Sequence, residues 1–72
     1  MIKTKFGNNL AKLRRAAEMT QEDLAEKASY SVEFVSYLER GVHAPSLEGM
    51  ERLAMALGVE MFELFEFGGD TK

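Results

Sequence analysis

His43 is the only histidine in the chain, and cysteine is absent. Those two facts exclude a disulfide and a thiolate nucleophile, and leave a zinc site without its usual Cys and His ligands. No Ser/His/Asp or Cys/His set, no metal cluster and no phosphate-cradling glycine loop stands elsewhere in the 72 residues. Catalysis needs such constellations, so the chain is expected to be no enzyme and to use no cofactor and no metal. What remains is recognition through hydrogen bonds, ionic contacts and apolar packing.

The charges say where a polyanion would be met. The net charge is −3, but residues 1–43 hold seven Lys/Arg against six Asp/Glu, whereas residues 44–72 hold two against six. A partner feels the nearest face rather than the total. A phosphate backbone would therefore meet the first half, with the second half turned away.

The elements that must position these groups are helical. Phe6, Leu10, Leu13 and Ala17 follow steps of four, three and four. They define one face of a first helix ending near Glu18, with Lys5, Asn8, Asn9, Lys12 and Arg15 largely outside. Thr20 to Asp23 has the form of a capping box and opens a second helix, with Leu24, Ala25 and Ala28 inward. Ser31 caps a third helix with Val35 and Leu38 inward, and Gly41 supplies a left-handed stop. Ser46 caps a fourth helix, with Leu47, Met50, Leu53, Ala54 and Leu57 as its stripe and Gly58 at its end. Residues Val59 to Phe65 read as a short fifth helix. No segment alternates with period two, so the expectation is an all-α, compact five-helix bundle without strands.

A chain this short is one domain with a modest core. The expected division is a domain over residues 1–67 and a flexible tail over 68–72. Lacking disulfide and metal, it must rely on well-packed helices, a dimer, or both. No apolar run reaches the ~18–20 residues that span a bilayer, and Met1 to Phe6 lacks the apolar core of a signal peptide. The absence of cysteine suits a reducing compartment. The expectation is a soluble, cytoplasmic protein with no membrane partner.

The segment Thr20-Gln21-Glu22-Asp23-Leu24-Ala25-Glu26-Lys27-Ala28 resembles the first helix of a phage-repressor/Cro-type helix-turn-helix. Ser31 through Val35-Ser36-Tyr37-Leu38-Glu39-Arg40-Gly41 resembles its recognition helix. Pro45-Ser46-Leu47-Glu48 and Arg52 to Val59 resemble the helix that follows, and Leu13-Arg14 and Glu63-Leu64-Phe65 match the family's first helix and its end. The resemblance spans roughly residues 6–65 in order and register. It implies a lambda-repressor-like fold with the helix-turn-helix in the second and third helices, and a sequence-specific transcriptional regulator, as a repressor, that binds double-stranded DNA as a homodimer.

The same resemblance assigns roles. Gln21 falls where side chain and helix start together bond a phosphate. Ser31, Val32, Glu33, Ser36 and Tyr37 fall on the face that meets base edges, Val32 against thymine methyls and Glu33 against cytosine N4. Phe34 is expected to pack on the core. Arg40 at the helix end and His43 in the following loop fall near phosphate. Arg14 and Glu39 match positions that pair with each other, as a structural ion pair between the first and third helices. Few cations face the phosphates on this reading, so the salt dependence of binding is expected to be shallow.

Four positions depart from the family pattern. Glu18 and Ser29 stand where glycine is common, and Val42 and His43 where lysine or arginine often touch phosphate. A left-handed backbone at Glu18 or Ser29 costs about 1 kcal/mol, so those turns are expected to differ locally. Phe62 and Phe67 exceed what the edge of a small core needs and are candidate dimer anchors. The alternative function is a protein-interaction module, or an antitoxin-type partner that binds both DNA and a protein.

Overall fold

The computed structural model describes residues 1–67, so the expected tail at 68–72 lies outside the described residues. Four α-helices follow in order: α1 (Ile2–Ala16), α2 (Gln21–Ala28), α3 (Val32–Glu39) and α4 (Leu47–Leu57). A 3-10 segment, Met61–Phe65, closes the chain, and no strand occurs among the described residues. Helix α1 packs on α3, α2 packs on both α3 and α4, and the 3-10 segment closes against α1 and α4. Leu10, Leu24, Val35, Leu38, Leu53 and Leu64 are fully enclosed at the centre.

The expected fifth helix is therefore corrected to a single 3-10 segment of five residues. Gly58 turns left-handed at φ 71° before it, and Glu66 extends at φ −86°, ψ 94° after it. That span is too short to repay the nucleation of an α-helix. Its carbonyls are taken instead by another element. The Asn9 amide donates to the backbone oxygens of Glu63 and Leu64, both at 2.8 Å. Asn9 was expected outside, yet it is buried. It lies three residues after Phe6 and four before Leu13, within the apolar stripe, where an amide must find partners.

The helix starts follow the sequence. Asp23 N–H donates to Thr20 Oγ1 at 3.0 Å, and Thr20 N–H donates to Asp23 Oδ2 at 2.9 Å. Ser31 Oγ accepts from Phe34 N–H, and Ser46 Oγ from Gly49 N–H. Gly41 is left-handed at φ 77°, and Val42 N–H reaches back to the Tyr37 carbonyl at 2.9 Å.

The two turns expected to differ do not. Glu18 and Ser29 adopt φ 60° and 63°, the left-handed geometry that glycine occupies most easily. Packing of α1, α2 and α3 fixes each turn whichever residue occupies it. The strain remains. Glu18→Gly and Ser29→Gly are each expected to stabilise the fold by about 0.5 kcal/mol, the relieved strain being partly offset by the greater freedom of an unfolded glycine. A thermal melt of the double variant should rise by about 4–8 °C; a lower melting temperature would show the turns to be unstrained.

Candidate nucleic-acid interface

Helix α3 is held on its inner side by Val35 and Leu38, both at 0% exposure. The α2–α3 turn aims it. After Ser29, Tyr30 N–H donates to the Ala25 carbonyl at 2.9 Å, which closes the end of α2 and starts the chain in a new direction. Arg52 of α4 reinforces this corner. Its Nε donates to the Ala28 carbonyl at 2.8 Å, and its guanidinium lies 4.7 Å from the centre of the Tyr30 ring. A cation at a helix C-terminus is favourable.

On the outer side, Ser31 and Glu33 are exposed in the first turn of α3. Val32 and Ser36 are half-buried, and Val32 leans on the core. Tyr37 is exposed between two neighbours, with the Arg40 guanidinium 5.1 Å from its ring centre and the His43 ring edge-on at 5.4 Å. His43 also stacks on Phe34, with ring centres 5.8 Å apart. Phe34 itself touches Tyr30 at 4.8 Å and packs against the core. The loop after α3 is thus fastened to the outer face of the helix through an aromatic row, a link the sequence pattern does not announce because its members are in different elements.

Beneath this face, Arg14 and Glu39 meet. Arg14 Nε donates to Glu39 Oε2 at 2.6 Å and Nη2 to Oε1 at 3.1 Å, with side-chain exposures of 11% and 6%. Arg14 Nη1 also donates to the Met19 carbonyl at 2.8 Å, tying the α1–α2 turn to the pair. Gln21 Nε2 donates to Glu39 Oε1 at 2.9 Å. One of its two amide N–H groups is therefore engaged inside the protein, and the other remains for a ligand. At the same helix start, the N–H and hydroxyl of Thr20 hold the exposed Asp23 carboxyl below its usual range.

The structure gathers Gln21, Ser36, Glu39 and Arg40 around one concavity. Phe62 and Phe67 differ in burial. Phe62 is 63% exposed, whereas Phe67 is half-buried with its ring edge-on to Phe65 at 6.3 Å. Phe65 in turn meets Phe6 at 5.5 Å. Sequence reasoning missed Asn9 and Arg52. The position of Asn9 within an apolar stripe was a usable signal; nothing in the pattern marked Arg52. Among the described residues no group of three or more His, Asp or Glu side chains could hold a metal ion, and no helix is long and apolar enough to cross a membrane.

The helix-turn-helix family profile matches residues 10–64. An uncharacterised helix-turn-helix-type transcriptional regulator of Sinorhizobium fredii is 41% identical over 58 residues, covering 81% of this chain and 75% of that protein. The control protein C.MunI of a Mycoplasma species is 35% identical over 65 residues, covering 89% of this chain and 88% of the other. Among solved structures, the restriction-modification controller protein C.AhdI of Aeromonas hydrophila superimposes with a TM-score of 0.84 at 40% identity, over 86% of this chain and 94% of that one.

Proposed function

This chain belongs to the helix-turn-helix family of DNA-binding transcriptional regulators, and from that premise we propose that it inserts α3 into the major groove and acts as a homodimeric repressor on a two-fold operator. The observation that carries the reading is the outer face of α3, which presents Ser31, Glu33, Tyr37 and Arg40 to solvent while Val35 and Leu38 anchor the helix from behind. A major groove about 12 Å wide admits one such helix.

In this docking the spare N–H of Gln21, Arg40 and His43 grip the backbone. Ser31, Val32, Glu33, Ser36 and Tyr37 face base edges. Glu33 accepts from a cytosine amino group, and the exposed part of Val32 meets a thymine methyl. No Arg or Lys precedes Arg40 on α3, so the bidentate arginine–guanine contact is replaced by Glu33, apolar contact and DNA shape. A dimer supplies two reading helices about 34 Å apart, one turn of duplex. The exposed apolar side chains of Leu47, Met55 and Phe62, on the acidic half of the chain, support a subunit contact remote from phosphate.

Selection from a random DNA pool at stated salt tests this. The expected product is a two-fold symmetric site. Glu33→Ala should relax the choice at one base pair in each half-site by about 1–3 kcal/mol, and Arg40→Ala should weaken all sequences about equally. If no sequence is enriched and neither substitution alters binding, the protein-interaction reading takes its place.

A further inference from the structure

We propose that α1 supplies part of the DNA-backbone grip, through Lys12 and Arg15 acting with Arg40 on one phosphodiester segment. The inference rests on the DNA-binding reading above and adds residues to it. A cleft of about 530 Å³ runs between α1, the start of α2 and the end of α3. Asn8, Lys12 and Arg15 line it from α1, Gln21 from α2, Ser36 from α3 and Arg40 from the C-cap of α3. The α1 residues are spaced by four and three, and Ser36 and Arg40 by four, so each set shares a helix face. Asn8, Lys12, Arg15 and Arg40 are exposed, and Gln21 and Ser36 are half-buried.

The charge of this cleft is one-sided. Its only carboxylate, Glu39, is taken by Arg14 and Gln21. Among the described residues that is the sole ion pair, so Lys12, Arg15 and Arg40 face the cleft with no carboxylate partner. Apart from the Ala11 methyl, the remaining side chains can donate hydrogen bonds: the spare N–H of Gln21, the Ser36 hydroxyl and the Asn8 amide. Three cations and three neutral donors around one concavity fit an anion whose oxygens accept from several sides. Ser36 and Arg40 also belong to the reading helix, so a strand flanking α3 in the groove passes this cleft. The loop from Gly41 to Pro45 holds no Lys or Arg. Beside His43 of that loop, the cationic part of the grip then comes from Lys12, Arg15 and Arg40, and the salt dependence is steeper than the sequence alone suggested.

The test is fluorescence anisotropy with the selected operator and with a random duplex, each titrated from 50 to 200 mM salt. Each lost phosphate contact reduces the slope of log affinity against log salt by about 0.9. Lys12→Gln/Arg15→Gln should therefore lose about 10-fold less affinity than the parent chain over that range, on both duplexes alike. The charge-conserving Lys12→Arg/Arg15→Lys variant should keep the parent slope, and so should Lys27→Gln, on α2 outside the cleft. Thermal melts verify that all variants fold. A parent slope retained by the double Gln variant overturns this inference and leaves the DNA-binding reading standing, as does a loss confined to the operator. If the parent chain binds neither duplex, both fall.

Discussion

Gly7→Ala is expected to destabilise the protein by about 3 kcal/mol, the upper range for overpacking a close contact. A Cβ at position 7 would stand 2.3 Å from the Leu38 carbonyl oxygen and 2.7 Å from that of Glu39. These are backbone atoms at the end of α3, so no rotamer change relieves the clash. The helices must separate, which loosens the Leu10 and Leu38 packing and displaces Glu39 from Arg14. A chain of 72 residues has about 4–11 kcal/mol of stability in all, so such a loss is a large fraction of it. Gly58→Ala is the comparison. Position 58 has open space but φ 71°, so it should lose only the ~1 kcal/mol of left-handed strain. Urea unfolding of the two variants separates crowding from backbone strain. Equal midpoints would show that the α1–α3 approach is not tight.

Glu39→Ala should cost about 3 kcal/mol, the low end for breaking a buried pair, because it leaves the largely buried Arg14 guanidinium without its counter-charge and the Gln21 amide without its acceptor. Arg14→Met should cost a similar amount, with the carboxylate of Glu39 stranded instead. The double variant Arg14→Met/Glu39→Leu is expected to recover most of the loss, since a buried ion pair can often be exchanged for apolar groups of similar volume. The quantity to measure is the coupling in a double-mutant cycle. Additive losses would show that the two side chains do not support each other. The cost of the single variants should also appear in DNA binding, because the pair fixes the end of α3 and holds Gln21 at the start of α2.

The helix starts could be read from sequence because their signals are local. Thr20, Ser31 and Ser46 bond backbone groups three residues away, and such a contact needs only the neighbouring chain. The inner faces of α2 and α3 were also legible, since burial there follows helical period; in α4 the period placed Leu53, Ala54 and Leu57 correctly, but Leu47, expected inward, is exposed in the first turn. The fifth helix was misjudged because a run such as Val59 to Phe65 has the same apolar spacing in an α-helix or a tighter turn, and the partner of its carbonyls, Asn9, is more than 50 residues away. Glu18 and Ser29 were misjudged in the opposite sense. Residue preference argued against left-handed turns, and packing overrode it at a cost of about 1 kcal/mol each. The basic cleft was invisible because its cations come from α1 and α3, and only the crossing of those helices brings Lys12, Arg15 and Arg40 together. The aromatic row from Tyr30 to His43 was hidden for the same reason.

The bonds from Asn9 to the closing 3-10 segment also bear on the order in which the molecule assembles. They bridge a separation of 55 residues, against 25 for Arg14 and Glu39. Closing the longer loop costs about 0.7 kcal/mol more in chain entropy if the intervening segment is still unstructured. Once α2, α3 and α4 have docked, the effective separation shrinks and that penalty largely disappears. Folding is thus favoured to proceed from the middle outward, with the two ends of the chain joining last.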